Sequence, residues 1–247
     1  MGFVLNEKGR FKYLTIPTLE KSGLILHGFS LKSCHSLKQF VSIFNISPAK
    51  GRINPKDLTA AEQVHQDKIA IIDEKKKGNV AKGCDALLTD IPGIPLVIRT
   101  ADCVPIFLFD PKTKSIGLVH AGWKNSILNI AGKTIQTMKE IFGAELKNIL
   151  VGIAPSIGPC CYEVKDNVIK LLKKAKKDWR NFVTTTGDGK WYLNLRKLNL
   201  SQLIEAGILQ TNITISRRCT SCEKDMFYSY RRDGKGTGRM YALIMIK

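Results

Sequence analysis

The sequence predicts an α/β fold with layered mixed β-sheets flanked by helices, in a single domain over residues 1–247. Strand-like segments outnumber helix-like segments and do not alternate with them strictly, which favours mixed sheets. No Gly-x-Gly-x-x-Gly motif follows a strand and no P-loop motif occurs, so a doubly wound Rossmann domain is not expected. No Pro- or Ser-rich linker divides the chain, which indicates one domain.

Short apolar runs bounded by turn residues predict the strands. These runs cover residues 24–29, 58–65, 69–72, 96–100, 104–109, 115–120, 149–154, 212–216 and 241–246. Apolar residues at helical spacing predict the helices. These helices cover residues 36–44, a segment from about Asn125 to Phe142, and residues 196–206.

The chain is strongly basic, with 39 Lys and Arg residues against 21 Asp and Glu residues and a formal net charge of +18. Such a surface attracts polyanions without specificity. The densest basic segment, residues 165–180, also has the apolar spacing of one helix face, formed by Val168, Leu171, Leu172, Ala175 and Trp179. We therefore interpret its lysines as the solvated face of an amphipathic helix. Nucleic-acid binding is less favoured, because no zinc-finger spacing or RNA-recognition aromatic motif is present.

The sequence favours a reduced, cytoplasmic setting. The N-terminal residues lack the basic and apolar regions of a signal peptide, and the longest uncharged stretch is shorter than the ~18 apolar residues of a membrane span. Seven cysteines is an odd number, which fits free thiols better than a disulfide framework. Four histidines are too few for a multicopper oxidase, whose coppers together need roughly ten imidazoles.

Three side chains of metal-ligand type lie where predicted strands meet loops. His65 closes one strand, Cys103 precedes another and His120 ends a third. A thiolate with two imidazoles is a tetrahedral zinc set that leaves one position open, as in catalytic zinc sites. Alternatively, Cys103 is a nucleophile, His120 its base and Asp102 or another acid the orienting group of a metal-free hydrolase. Residue types and spacing leave both interpretations open.

Four other cysteines give weaker signals. Cys219 and Cys222 have the C-x-x-C spacing of a zinc knuckle or a redox pair. A structural zinc ion needs two further ligands, and the candidates Cys160 and Cys161 are adjacent, an arrangement that rarely binds one metal ion. We therefore interpret all four as packed residues.

The C-terminal segment 228–239 combines Tyr, Ser, Arg and Gly. Arginine offers paired donors to a phosphate group, and glycine allows backbone N–H groups to approach it. The segment fits either a phosphate- or ribose-binding loop or a charged hairpin with glycine at its turn.

Six segments of the chain resemble one family in the same order. They are Gln63-Val64-His65, Asp85-Ala86-Leu87-Leu88-Thr89, Thr100-Ala101-Asp102-Cys103-Val104-Pro105, Val119-His120-Ala121-Gly122-Trp123-Lys124, Gly158-Pro159-Cys160-Cys161-Tyr162-Glu163-Val164, and Phe227-Tyr228-Ser229-Tyr230-Arg231-Arg232 with Thr237-Gly238-Arg239. Over about residues 24–247 the chain is similar to the laccase-domain family. Its members are also labelled multicopper polyphenol oxidoreductase (polyphenol oxidase), purine nucleoside phosphorylase and peptidoglycan editing factor.

The resemblance implies layered mixed sheets and a zinc ion, rather than copper, bound by His65, Cys103 and His120. It also implies phosphorolysis of adenosine, inosine, guanosine and methylthioadenosine, and deamination of adenosine. The expected partners are therefore purine nucleosides and inorganic phosphate. An open zinc position suits deamination, because zinc lowers the pKa of a bound water toward ~7. Phosphorolysis needs cations and backbone donors that hold phosphate against the anomeric carbon.

One segment departs from the family pattern. The family continues His-Gly-Phe-Ser with Thr-Arg-x-Gly-Gly, whereas this chain has Lys32 in place of the Arg and lacks the Gly pair. Lysine keeps the charge of an anion holder but loses its paired donors. We expect Lys32 to act in catalysis beside Cys103 and His120.

Three further residues are expected to contact substrate. Arg231 and Arg232 would hold anionic groups. Gln63 lies two residues from His65 on the same strand face, so it should point into the same pocket and contact a purine or ribose.

Three function classes remain open. The favoured one is a zinc-dependent purine nucleoside enzyme. The second is a metal-free hydrolase, with Cys103 and His120, that acts on a cell-wall peptide precursor. The third is a catalytically faded member that binds a nucleoside, a nucleic acid or another protein.

Overall fold

β-Sheets form the central layers of the protein, whose structure is a computed structural model that describes residues 2–45 and 52–247. In chain order the strands are β1 (Val4–Lys8), β2 (Phe11–Thr15), β3 (Ile25–Ser30), β4 (Thr59–Ala61), β5 (Ile69–Ile71), β6 (Val80–Ala81), β7 (Ala86–Thr89), β8 (Leu96–Thr100), β9 (Val104–Asp110), β10 (Ser115–Ala121), β11 (Leu150–Ile153), β12 (Glu163–Val164), β13 (Val183–Thr185), β14 (Trp191–Leu193), β15 (Ile213–Ile215) and β16 (Met240–Ile246). The α-helices are α1 (Pro17–Glu20), α2 (Leu37–Asn45), α3 (Trp123–Ile127), α4 (Ile130–Phe142), α5 (Asp166–Ala175), α6 (Leu195–Glu205) and α7 (Tyr230–Asp233).

Two large sheets and one small sheet contain these strands. Sheet 1 has the order β1-β2-β3-β16-β8-β4-β6, sheet 2 the order β15-β11-β9-β10-β7-β5, and the small sheet the order β12-β14-β13. Both large sheets are mixed: in sheet 1, β16 is antiparallel to β3 and β8, whereas β4 is parallel to β8. In sheet 2, β9 and β10 are antiparallel and β11 and β15 are parallel. The predicted layered mixed sheets are therefore confirmed, and the order is not that of a Rossmann sheet.

The two large sheets pack face to face, and successive side chains of β9 point alternately into the space between the sheets and toward the helices. Phe107 and Phe109 pack between the sheets with Ile244 of sheet 1, whereas Ile106 and Leu108 face a helical layer that includes α4 and α6. Helix α2 covers the other face of sheet 1. Full burial of each such side chain contributes about 1.5–3 kcal/mol. The protein therefore has four layers, in which the two large sheets lie between two layers of helices.

The ends of α4 follow from local chemistry. The Asn129 side chain accepts the N–H of Gly132, and the helix ends at Gly143, which has a left-handed φ of 68°. The buried face includes Ile135 and Met138 as the spacing predicts, but Ile141 at the end is exposed. No helix in the described ranges is both long and apolar enough to cross a membrane.

The basic helix is shorter than the sequence predicts. Helix α5 ends at Ala175, and Trp179 starts a short 3-10 helix instead of continuing it. Leu171 is 48% exposed, so its predicted place on the buried face is wrong; Ile169 packs inward instead. The lysines of α5 face solvent.

The predicted strand over residues 58–65 is wrong beyond residue 61. Strand β4 covers only Thr59–Ala61, and Gln63 and His65 have left-handed φ values of 67° and 60°. Their backbone turns toward a buried carboxylate that lies far away in sequence, as described below. The β1–β2 hairpin and the small sheet were not predicted, because their strands are polar or only half-buried.

Buried His27 makes stability depend on pH. Its Nε2 accepts the Ile16 N–H at 2.8 Å, and burial lowers the pKa of His27 from 6.5 to about 3. Between these two values the unfolded chain binds a proton that the folded protein does not. The stabilisation is therefore present above pH 6.5 and is lost as the pH falls toward 3.

We expect the free energy of unfolding of the wild-type protein to decrease as the pH falls from 6 to 4. For each pH unit, this decrease should exceed the decrease in His27→Gln by about 1.4 kcal/mol. Urea denaturation at several pH values measures this difference. The matched control is His35→Gln at an exposed histidine, which should keep the wild-type slope. Equal slopes in wild type and His27→Gln would contradict the prediction.

Candidate metal centre and active site

A cavity of about 790 Å³ opens where β8, β9 and β10 end or begin. Its wall includes His65, Cys103 and His120. Because β9 and β10 are antiparallel, with Val104 paired to Ala121, the loop before β9 lies next to the end of β10. The register therefore brings Cys103 beside His120, and the loop after β4 brings His65.

The three side chains are close enough to share one ion. Their ligand atoms lie within 4.8 Å of one another, and the two imidazole centroids are 4.9 Å apart. His120 is buried, Cys103 half-buried and His65 exposed. Zinc bonds of ~2.0–2.1 Å to nitrogen and ~2.3 Å to sulfur are compatible with this spacing. The donor set therefore fits the zinc ion that the resemblance implies.

A buried carboxylate, Asp85, organises two of these ligands. It accepts a 2.7 Å hydrogen bond from His120 Nδ1, which leaves Nε2 of that imidazole for a metal ion or a substrate. It also accepts the backbone N–H groups of Val64, His65 and Gln66 at 2.9–3.1 Å. Burial alone would raise the pKa of Asp85, but the hydrogen bonds from His120 and the backbone outweigh it and lower that pKa. No role was predicted for Asp85, although it begins one of the six segments.

The backbone at the site is strained. Gln63, His65 and Asp102 are non-glycine residues with φ values of 67°, 60° and 93°. Such residues persist where the surroundings over-determine them, and they cluster at functional sites. Here the hydrogen bonds to Asp85 hold the loop, so that the His65 imidazole faces Cys103.

Neighbouring groups shift the pKa values of the two site histidines in opposite directions. Burial alone would lower the pKa of His120, but its interactions with Cys103 and the Asp85 carboxylate outweigh burial and raise that pKa to about 9. Burial, and then the neighbouring His120, lower the pKa of His65. A thiolate beside an imidazole suits either a metal ligand or a nucleophile. The acid that orients His120 is Asp85, whereas Asp102 bonds elsewhere.

Gly122 leaves the space that the site requires. A Cβ there would lie 2.6 Å from His65 Nδ1 and 3.2 Å from Cys103 Sγ. Its φ of −81° is ordinary, so glycine is needed for room and not for conformation. Any larger residue would push the imidazole and the thiolate apart.

Asp102 fastens the C-terminal segment to the site. Its carboxylate accepts the hydroxyls of Thr220 at 2.6 Å and Ser229 at 3.0 Å, and the N–H of Arg231 at 2.7 Å. Because Asp102 immediately precedes Cys103, the segment that carries Arg231 is fixed relative to the candidate metal ligands.

The two predicted anion-holding arginines have different surroundings. Arg231 lines the cavity, with its guanidinium carbon 5.1 Å from the Tyr162 ring centroid and Nη1 bonded to the Glu163 carbonyl at 2.7 Å. The Arg232 guanidinium donates to the carbonyls of Thr220, Ser221 and Phe227 and pairs with Asp233, outside the cavity wall.

Lys32 and Gln63 also differ in placement. Lys32 Nζ bonds to the Lys224 carbonyl at 3.3 Å and lies outside the cavity wall. Gln63 lines the cavity, but its amide is paired with the backbone of Arg99 through bonds of 2.6 and 2.9 Å. The catalytic role of Lys32 and the substrate role of Gln63 remain predictions.

The cavity wall also includes residues to which the sequence analysis assigned no individual role, among them Arg99, Trp123, Tyr162 and Arg239. Trp123, Tyr162 and Arg239 lie in the six segments that resemble the family, and Arg99 directly precedes one of them. Their position in or beside these segments is the sequence feature that could have identified them as site residues. Together with Arg231 they add cationic and aromatic faces to the cavity, which suit a phosphate group and a purine ring.

Comparisons with known proteins show the family to which the chain belongs. A family model described as multi-copper polyphenol oxidoreductase laccase matches residues 45–247. The purine nucleoside phosphorylase YlmD of Geobacillus stearothermophilus is 39% identical over 198 residues, which cover 74% of this chain and 70% of that protein. The adenosine deaminase RL5 from an unknown prokaryotic organism is 35% identical over 199 residues, covering 77% of this chain and 76% of that protein.

The fold is shared with a solved relative. The crystal structure of YlmD from Geobacillus stearothermophilus matches 99% of both chains with a TM-score of 0.86 and 28% identity. With the family model covering most of the chain, the conclusion is that this protein belongs to the laccase-domain family.

Proposed function

We propose that the protein is a zinc-dependent purine nucleoside enzyme that cleaves purine nucleosides with inorganic phosphate and also deaminates adenosine. The supporting observation is the cavity that joins His65, Cys103 and His120 to arginine and aromatic side chains. The names of the two relatives, a purine nucleoside phosphorylase and an adenosine deaminase, support the same reactions.

His65, Cys103 and His120 would hold the zinc ion. When bound, zinc supplies Lewis acidity toward a substrate atom. Asp85 keeps the Nδ1 proton on His120 and so presents Nε2 to the ion. A zinc ion, rather than copper, is proposed because two imidazoles and one thiolate form a common three-ligand zinc set.

The arginines would position phosphate. In phosphorolysis a phosphate oxygen forms a bond to C1′ of the ribose, the glycosidic bond to the purine breaks, and its electron pair leaves with the base. Arg231 and Arg239 offer charge-assisted donors in the cavity, and Tyr162 and Trp123 offer faces for the purine. In deamination water replaces the C6 amino group, which leaves as ammonia, and no phosphate takes part.

A second candidate function has one specific observation in its favour. Cys103, His120 and Asp85 form a thiol–imidazole–carboxylate chain of the kind that cysteine hydrolases use. This metal-free hydrolase would act on an amide, such as a cell-wall peptide precursor. It gives His65 no role, and that difference separates the two candidates.

The first test is incubation of the purified protein with adenosine, with and without phosphate, and identification of every product by mass spectrometry. We expect inosine and ammonia under both conditions. Adenine, hypoxanthine and ribose 1-phosphate should appear only with phosphate. Absence of any product would contradict the proposed nucleoside activity.

A second test separates ligand from nucleophile. Cys103→Ser and His65→Ala should each lose one equivalent of zinc per chain and the nucleoside activity together, because both remove a ligand. Elemental analysis and the adenosine assay measure the two effects. Cys34→Ala, at a buried cysteine outside the site, is the matched control and should keep both. Full nucleoside activity in His65→Ala would count against the zinc model.

A third test concerns phosphate binding. Arg231→Ala should raise the KM for phosphate about 10-fold or more, because a charge-assisted hydrogen bond contributes roughly 1.5–3 kcal/mol. Deamination should change much less, since it uses no phosphate. Equal loss of both reactions would assign Arg231 to folding or general binding.

Lys32→Arg is the companion variant in that series. A lower KM for phosphate would support the catalytic role that the sequence predicts for Lys32. An unchanged KM would assign Lys32 to its contact with the Lys224 carbonyl.

A further inference from the structure

Four cysteines converge on the surface, outside the site formed by His65, Cys103 and His120. They are Cys160, Cys161, Cys219 and Cys222, and their Sγ atoms all lie within 4.8 Å of one another. Cys222 Sγ is 3.5 Å from Cys160 Sγ and 3.3 Å from Cys161 Sγ, and all four are free thiols. The name tetrathiol cluster is used for these four residues.

Two turns from separate parts of the chain build the tetrathiol cluster. In the first, the N–H groups of Cys161 and Tyr162 both bond to the Gly158 carbonyl at 3.1 Å, which aims two adjacent cysteines at Cys222. In the second, the Glu223 N–H bonds to the Cys219 carbonyl at 3.0 Å. Adjacent cysteines rarely bind one metal ion, but this turn brings both the Cys160 and the Cys161 thiols close to Cys222.

We propose that the tetrathiol cluster binds one zinc ion through four thiolates. A tetrahedral zinc ion with ~2.3 Å bonds places its sulfur atoms ~3.8 Å apart, and the sulfur atoms here are spaced around that value. Hydrophobic packing does not account for the cluster, because Cys160 and Cys222 are exposed and only Cys219 is buried. All-thiolate tetrahedral sets select zinc or iron, and zinc needs no redox partner.

The surroundings of the cluster suit thiolates. The Gly158 N–H donates to Cys219 Sγ at 3.1 Å. A Cβ on Gly158 would lie 3.0 Å from Cys160 Sγ and 3.1 Å from Arg196 Nη2, so glycine allows both to approach. Arg196, held by the carbonyls of Ser216 and Arg218 at 2.7 and 2.9 Å, places a positive charge beside four groups that become anionic with a metal ion.

The position of the cluster indicates a structural role. Thr220, next to Cys219, donates to Asp102, and Tyr162, next to Cys161, lines the cavity. An ion in the cluster would join the two turns that carry these residues. The proposal does not depend on the proposed enzyme activity.

The test uses protein purified without a histidine tag from zinc-containing medium. The variant His65→Ala with Cys103→Ser removes two ligands of the first site. It should retain about one zinc ion per chain, and X-ray absorption should show four sulfur ligands at ~2.3 Å and no nitrogen ligand. Wild type should hold about two zinc ions if both sites bind, and about one if the proposed active site does not.

The reciprocal variant is Cys160→Ser with Cys222→Ser, which should lose one zinc ion per chain, whereas Cys34→Ala should lose none. If this variant fails to fold, the His65→Ala with Cys103→Ser variant still decides. Four outcomes in the His65→Ala with Cys103→Ser variant would overturn the proposal. They are loss of all zinc, a nitrogen ligand in the X-ray absorption spectrum, iron in place of zinc, and a disulfide revealed by thiol titration.

Discussion

The buried carboxylate of Asp85 is the constraint on which the site depends. One group accepts the His120 imidazole and three consecutive backbone N–H groups of the loop that carries His65. Removing it would leave the Nδ1–H of buried His120 without an acceptor, which costs about 1–3 kcal/mol, and would release the exposed loop backbone from its acceptor. Asp85 therefore fixes side-chain orientation in one ligand and backbone conformation in another at the same time.

Much of the fold was predictable because its core strands have clear apolar patterns. Strand β8 matches the predicted residues 96–100, and the continuous apolar run of β9 suits a strand that is buried on both faces. The failure at residues 62–65 has a different origin. The Gln63 N–H bonds to the Cys84 carbonyl and the His65 N–H to the Asp85 carboxylate, both some twenty residues later in the chain, and no local propensity encodes these partners. The single domain remains a prediction.

At the candidate site, too, residue types could be identified from the sequence, whereas the contacts between distant residues could not. Residue type identified His65, Cys103 and His120, but the closeness of Cys103 to His120 comes from the antiparallel register of β9 and β10. The sequence does not distinguish Arg231 from its neighbour Arg232. In the structure, the Asp102 carboxylate accepts the Arg231 N–H at the cavity, whereas the Arg232 guanidinium donates to backbone carbonyls. The adjacent cysteines were interpreted as packed because neighbouring cysteines rarely bind one metal ion. The spacing in the sequence does not reveal the turn that aims both of them at Cys222.

The place of β16 in sheet 1 has a consequence for how the protein matures. This strand lies between β3 and β8 and is the link between the β1–β3 meander and the β8-β4-β6 group. A chain emerging from the ribosome exposes both flanking edges until residues 240–246 arrive, and such edges recruit other strands. Arg231 and Arg239 emerge just before them. The cavity wall and the middle of sheet 1 are thus completed in one late event, so a chain stalled or cut before residue 240 would be an aggregation-prone intermediate rather than a slower enzyme.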